Sequence, residues 1–358
     1  MPTPIVDSHI HLFPVSHLPT LAWHRPNNPL GSQHSIDEYR HATSSLSASS
    51  TQSLRGFIFL ETDRISSIAE EDSKNPGWKH ALDEVSFLAR IALGEPIAGE
   101  GHDTIDKDLC LGIVPWAPVP GGADVLQRYM DEVKKRTKTD DIRKKVCGVR
   151  YLVQDKPAGV MLDRKFVEGL QWLGKQELAF DLGVDARGGG LHQLREAVEM
   201  MDEVYRGLDE SEQVTIVINH LCKPNLRLDP VSVGNHVEYL EWKDLVIRMA
   251  RASKNTYMKL SGAFSELPPL SADADLDIAS LVELLQPWTD VVFDAFGAER
   301  VMFGSDWPVC TIGGGGNDVS WNKWREVVEG ILEKRGLTEE DKDGVWGGVA
   351  IKAYGIVI

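Results

Sequence analysis

The sequence predicts an α/β protein folded as a (β/α)8 TIM barrel, and three observations lead there. Short apolar runs rich in branched residues recur eight times along the chain. Most are separated by stretches with the 3.6-residue periodicity of amphipathic helices. The length, 358 residues, suits one such barrel with extended loops, because about 250 residues are typical of the fold.

The apolar runs lie at 4–10, 54–60, 109–116, 146–153, 179–184, 214–219, 256–260 and 300–304. Near-continuous apolar runs of this length suit parallel strands, which are buried on both faces by the barrel interior and by the crossover helices. Helical periodicity is expected at 123–138, 164–175, 191–206, 242–253, 279–295 and 320–335. The long loops after strands 1 and 2, at 13–53 and 65–108, exceed ordinary connections and are expected to carry extra helices or lids over the barrel mouth. Within the first of them, SSLSASSTQS at 44–53 reads as a mobile surface loop. The segment 339–358, containing VWGGVAIKAYGI, reads as a closing helix. Neither an internal repeat nor a linker divides the chain, so 1–358 is read as a single domain.

Hydrophobic residues make up 42% and charged residues 26%, a balance that supports a sizeable core with a soluble surface. The formal net charge of -16 argues against a nucleic-acid partner, since no basic stripe exists to displace counterions. The densest basic run, Lys134, Lys135, Arg136 and Lys138, is interleaved with Asp131, Glu132 and Asp140, which reads as a solvated helix face. Cys110, Cys147, Cys222 and Cys310 are far apart and form no C-x-x-C pair, so they read as reduced core thiols. Strand-like sequence begins at Ile5, which leaves no room for a signal peptide. No apolar stretch approaches the roughly 20 residues that span a bilayer. A soluble, cytoplasmic protein with no membrane partner is expected, and a homo-oligomer is compatible with everything read so far.

The residues that carry chemistry sit at strand ends. The first strand reads IVDSHIHLF, and strand alternation puts His9 and His11 on one face, with Asp7 joining them. Two imidazoles so spaced can share one divalent cation. By itself the pair reads equally as two buried, hydrogen-bonded histidines. Asp306 changes the weighing. It closes the eighth strand in VMFGSDWPV, and strand eight of a closed barrel is the neighbour of strand one. The competing reading of Asp306 is a loop or helix cap. His220 ends the sixth strand in VTIVINHLCKPN, at the catalytic end of such barrels. Lys223 follows as a point charge for an anionic or hydroxylated substrate, or as a surface salt bridge. Arg150 ends strand four within reach of a carbonyl or carboxylate. Glu61, Asp185 and Ser261 end strands two, five and seven as candidate polar contacts. Trp116 and Trp307 are candidates for a wall against a sugar-like ring. The glycine runs at 313–316 and 188–190 lack phosphate-loop and dinucleotide patterns, and no G-x-S-x-G elbow is present.

DSHIH at 7–11, GVR at 148–150, HLCKP at 220–224, KLSG at 259–262 and FGSDWP at 303–308 together resemble the amidohydrolase superfamily. Within it, the chain is similar to the amidohydrolase-2 branch that includes sugar lactonases. FIFLETDR, IVPWAP and GSDWPVC give it the texture of the fungal L-rhamnono-γ-lactonase group. The resemblance implies a barrel with its site at the strand C-termini. His9, His11 and Asp306 would form the metal or active-site set, with His220 as a further ligand or catalytic partner. The implied cofactor is one divalent cation, zinc first. Strand five departs from the pattern, offering Asp185 where many members place a metal-binding histidine, and His192 in the next helix is no substitute. A metal-independent variant therefore stays open.

The implied reaction opens an aldono-1,4-lactone to the aldonic acid, with Asp306 as general base and then general acid and with Arg150 or Lys223 steadying the oxyanion. Two alternatives remain at this point. One is a metal-dependent, non-oxidative decarboxylase of an aromatic or enoic acid, with Arg150 on the carboxylate. The other is a barrel that binds a sugar acid without turning it over.

Overall fold

In a computed structural model, which describes residues 3–25, 27–46, 52–70, 77–268 and 277–357, eight parallel strands alternate with helices. The strands are β1 (Thr3–Ile10), β2 (Gln52–Leu60), β3 (Cys110–Val114), β4 (Gly148–Arg150), β5 (Ala179–Leu182), β6 (Ile216–Ile218), β7 (Thr256–Leu260) and β8 (Val301–Phe303). Each coincides with one of the apolar runs, most being trimmed at the ends where the chain turns away from its neighbour. Two continuous sheets result, β1-β2-β3 and β4-β5-β6-β7-β8. Isolated parallel bridges Ile113–Val146 and Trp116–Arg150 join β3 to β4, and Ile10–Trp307 joins the end of β8 to β1. The ring of strands is thereby closed.

The crossover helices form where the sequence carries one apolar stripe and a defined stop. Helix Lys79–Leu93 buries Ala81, Leu82, Val85, Leu88 and Ile91 on its inner side. It ends at Gly94, whose left-handed φ of 66° lets its N–H reach back to the Arg90 and Ile91 carbonyls. Helices Arg164–Lys175 and Ile278–Phe296 start at Asp163 and Asp277, whose carboxylates accept from Lys165 and Ser280 N–H groups. The basic run near 134 lies on helix Ala123–Arg136, where Lys135 pairs with Glu132 and Arg136 with Asp83, as a solvated face should.

The two early connections do carry extra elements, including helix Ile36–Ala42 and the short helical turns Val15–Thr20 and Thr104–Asp108. Bridges Phe13–His34 and Leu21–Arg64 tie the first loop down over the barrel mouth. Of the expected surface loop at 44–53, residues 47–51 lie outside the described residues. The C-terminal segment is not one helix: Glu339–Asp343, a wider π turn at Gly344–Gly348 and Val349–Ala353 follow one another. Val349, Ala350, Ala353 and Tyr354 pack against Val6, Ile58, Val114, Val217 and Met302 of the strands. The four cysteines are free and buried. No helix among the described residues is long and apolar enough to cross a membrane.

Candidate active site

The site begins at the junction of β1 and β8. His11 N–H donates to Trp307 O at 2.8 Å, and Asp306 N–H donates to His9 O at 2.9 Å. These two bonds fix the register between chain segments almost 300 positions apart. Asp306 adopts a left-handed φ of 60°, which turns its carboxylate back over β1. His9 Nε2 and His11 Nε2 lie 3.2 Å apart, and they stand 3.5 and 3.6 Å from Asp306 Oδ1. Two donors each about 2.0–2.1 Å from a tetrahedral ion are about 3.4 Å apart. The three side chains therefore fit one small divalent cation. His220 Nε2 completes the cluster 3.7 Å from Asp306 Oδ1.

Asp7 does not join its strand neighbours. Its carboxylate accepts from Ser305 N–H (2.8 Å), Tyr39 Oη–H (3.0 Å) and Trp321 Nε1–H (2.8 Å). It anchors the turn before Asp306 rather than facing the histidines.

Supporting contacts orient the imidazoles. His11 Nδ1 lies 3.0 Å from both the Leu60 and Glu61 carbonyls. Carbonyls only accept, so Nδ1 carries the proton and Nε2 presents a lone pair to the cluster. His220 Nδ1 meets Ser261 Oγ at 2.8 Å. His9 Nδ1 faces Lys259 Nζ at 3.3 Å. Lys259 in turn donates to Asp181 Oδ1 at 2.6 Å, and Tyr354 Oη–H donates to Asp181 Oδ2 at 2.6 Å. Lys259 and Asp181 are fully buried, so a charged pair braced by a C-terminal tyrosine sits inside the barrel beneath His9.

Burial pushes His220 down to about 3 and, helped by the Lys259 charge, holds His9 well below the usual histidine range. Both imidazoles are neutral at physiological pH. Burial alone would raise Asp306, but the attraction of His220, His11 and Lys223 outweighs it and keeps the carboxyl below its ordinary value. Neutral histidines beside an ionised carboxylate are what cation binding or proton abstraction from water requires.

The backbone around His220 is unusual. His220, Leu221, Cys222 and Lys223 have φ values of 54, 54, 62 and 46°. Four consecutive left-handed residues other than glycine are costly, at roughly 1–2 kcal/mol each. Such strain concentrates at functional sites. Gly262 provides the necessary room, since a Cβ there would lie 2.4 Å from His220 Nδ1.

A cavity of about 320 Å³ opens over the cluster, with His11, Asp306, His220, Arg150 and Lys223 in its wall. Arg150 is held by Glu61 through Nε–Oε1 (2.7 Å) and Nη2–main-chain O (2.7 Å). Its Nη1 has no protein acceptor among the described residues. Glu61 is fully buried behind Arg150, and Ser261 is behind His220, so each reaches the cavity through a neighbour.

Three expected contacts are corrected. Asp185 turns away to accept from Gly188 N–H, and the residue lining the cavity just past the end of β5 is Gly183, two residues earlier. Trp307 follows the left-handed turn at Asp306 and points outward. It is fully buried against Tyr39 and His34, with its indole N–H on Asn317. Trp116 packs on Tyr129 and Tyr151 and borders a neighbouring hollow instead. The aromatic wall comes from Phe13 and Trp23 of the first loop. Sequence reasoning also missed Lys259 and Asp181, although a charge in the middle of the apolar strands TYMKL and AFDL was a readable signal. It missed the cavity residues Asp63, Gln154 and Asn219 as well.

The amidohydrolase family model matches residues 105–356. The chain belongs to the amidohydrolase family. This amidohydrolase is 34% identical to an L-rhamnono-gamma-lactonase of Scheffersomyces stipitis, with 98% of each chain covered. It is 26% identical to an L-fucono-1,5-lactonase of Burkholderia multivorans over 59% of its own length and 64% of the relative's. An amidohydrolase crystal structure from Burkholderia multivorans with bound zinc superposes with a TM-score of 0.69 at 22% identity, covering 99% of both chains. The shared fold is the (β/α)8 arrangement described above.

Proposed function

We propose that this amidohydrolase hydrolyses a sugar-derived aldono-1,4-lactone, L-rhamnono-γ-lactone or a close relative, to its aldonic acid. The observation that carries the reading is an ionised Asp306 set beside His11 and against neutral His9 and His220 on the floor of a cavity large enough for a small polyol. The likeness to two kinds of sugar lactonase supports it.

In the proposed reaction Asp306 accepts a proton from water as its oxygen bonds to the lactone carbonyl carbon, and the carbonyl π pair moves onto oxygen. Arg150 Nη1 or Lys223 Nζ stabilises that oxyanion. When the C=O reforms, the ring C–O bond breaks and Asp306 returns its proton to the departing ring oxygen. Water and lactone become one hydroxy acid, and Asp306 ends ionised as it began. His9, His11 and Asp306 would hold one divalent cation, zinc by donor type, with His220 beside it, and a bound ion would supply Lewis-acid polarisation of the carbonyl. Because a lactone is already an activated ester, the protein groups alone carry part of the rate. We read 1–358 as one catalytic domain and its setting as carbohydrate breakdown in the cytoplasm.

A panel of aldono-1,4-lactones and hydroxybenzoates, assayed by acid release and by CO2 release with metal analysis of the same protein, tests the proposal. Acid release from one or more lactones is the expected result. CO2 release with no lactone opening would overturn it in favour of the decarboxylase alternative.

A further inference from the structure

We infer that Asn219 is a specificity-determining residue that reads adjacent hydroxyl groups of the substrate, an inference that rests on the lactonase reading above. Asn219 follows the last residue of β6, immediately before His220, and is 1% exposed, yet it lines the cavity. Its backbone is fully committed: its N–H donates to Leu182 O, and its carbonyl accepts from Cys222 N–H. Its side chain is not. Neither Oδ1 nor Nδ2 has a hydrogen-bond partner among the described residues, so the conclusion holds whichever way the amide is turned.

A buried carboxamide with every valence unmet is unfavourable unless something outside the protein meets it. The surroundings say where that something sits. Just past the end of β5 the neighbouring cavity position is Gly183, where a Cβ would lie 3.8 Å from Asn219 Nδ2 and 2.9 Å from Leu152 Cδ1. A side chain there would stand against the amide, and the glycine leaves Nδ2 without one on that side.

The chemistry of the group selects its ligand. A carboxamide offers two N–H donors and one acceptor oxygen and does not titrate. A carboxylate or phosphate accepts only and would leave Oδ1 unmet, while an aromatic ring would leave all of it unmet. Two neighbouring hydroxyls each donate and accept, and together they satisfy both ends. Unlike Arg150 and Lys223, Asn219 carries no charge for an oxyanion. Its contribution is to hold the polyol, equally in ground and transition states.

The test compares a polyhydroxylated aldono-1,4-lactone with γ-butyrolactone, which has the same ring and no hydroxyls, on wild type, Asn219→Ala and Asn219→Leu. Sites built to bond a hydroxyl discriminate strongly once that bond is lost. We expect kcat/KM on the hydroxylated lactone to fall about 100-fold, mainly through KM, with less than about a threefold change on γ-butyrolactone. Equal losses on both lactones would overturn the inference and make Asn219 a support for His220. Unchanged kinetics on both would overturn it too. If the wild type opens neither lactone, the lactonase reading fails separately, and calorimetric binding of the hydroxylated lactone decides the matter. Binding by wild type but not by Asn219→Ala upholds the hydroxyl-reading role, and equal or absent binding removes it.

Discussion

Replacing Asp181 by leucine strips a buried ammonium of its counter-charge. Lys259 Nζ sits 2.6 Å from Asp181 Oδ1 with both side chains fully buried, so no water can take over. Burial already pulls Lys259 below its ordinary value, with Asp181 opposing the drop. Breaking a buried pair from one side costs about 3–5 kcal/mol. Tyr354 Oη would also lose its acceptor at 2.6 Å, a loss of about 1–3 kcal/mol that overlaps the first. Asp181→Leu and Lys259→Met are each expected to lower unfolding free energy by about 3–5 kcal/mol in urea titrations. The triple variant Asp181→Leu, Lys259→Met, Tyr354→Phe removes every member together and is expected within about 2 kcal/mol of wild type. It should nevertheless turn over slowly, because His9 Nδ1 has lost its neighbour. Single variants costing less than about 1 kcal/mol, or a triple as unstable as the singles, would refute the charge argument.

Asp306→Asn should reduce turnover at least about 10³-fold with an unchanged circular dichroism spectrum; near-normal rates would remove Asp306 from the proton-transfer role. His11→Ala should lower the metal retained through gel filtration, measured by elemental analysis, while chelation of wild type should lower its thermal midpoint because an ion at this cluster binds only the folded chain. Gly262→Ala places a Cβ 2.4 Å from His220 Nδ1 and should cost about 10²-fold in kcat, and a wild-type rate would show that His220 can shift freely. Burial and the Glu61 charge push Asp63 from 3.8 up to about 7. Between those values the folded chain holds a proton the unfolded chain has released, so this group's contribution to stability falls as pH rises through that window. Asp63→Asn should flatten that part of the urea-midpoint profile between about pH 4 and pH 7.

The strand pattern was legible because parallel barrel strands are apolar on both faces, and each of the eight runs overlaps a strand. The convergence of His9, His11 and Asp306 was legible for a related reason, since closure makes β8 the neighbour of β1. Side-chain direction past a strand end was not. Asp306 and the run from His220 to Lys223 leave the extended region, so alternation no longer says where Trp307 points. At β5 the strand stops at Leu182, and Asp185 is already turning into its own loop, which hands the cavity position to Gly183. Tyr354 was unreadable because its partner Asp181 lies 173 positions away and no local pattern links them. Asn219 was hidden by its neighbour, since an amide beside a histidine gives no signal until its missing partners are seen.

The closed ring is made of two arcs. Three strands form one continuous sheet and five form the other, and only isolated bridges cross the two seams. His9 and His11 belong to the smaller arc, Asp306 and His220 to the larger, so the cluster straddles the seam between β8 and β1. An ion held there would staple the two arcs, and its affinity would report how tightly that seam is shut. Cutting the chain in the other seam, near residues 137–145, should therefore give two fragments that are each inert. Mixed, they can recover turnover only by rebuilding the staple's site.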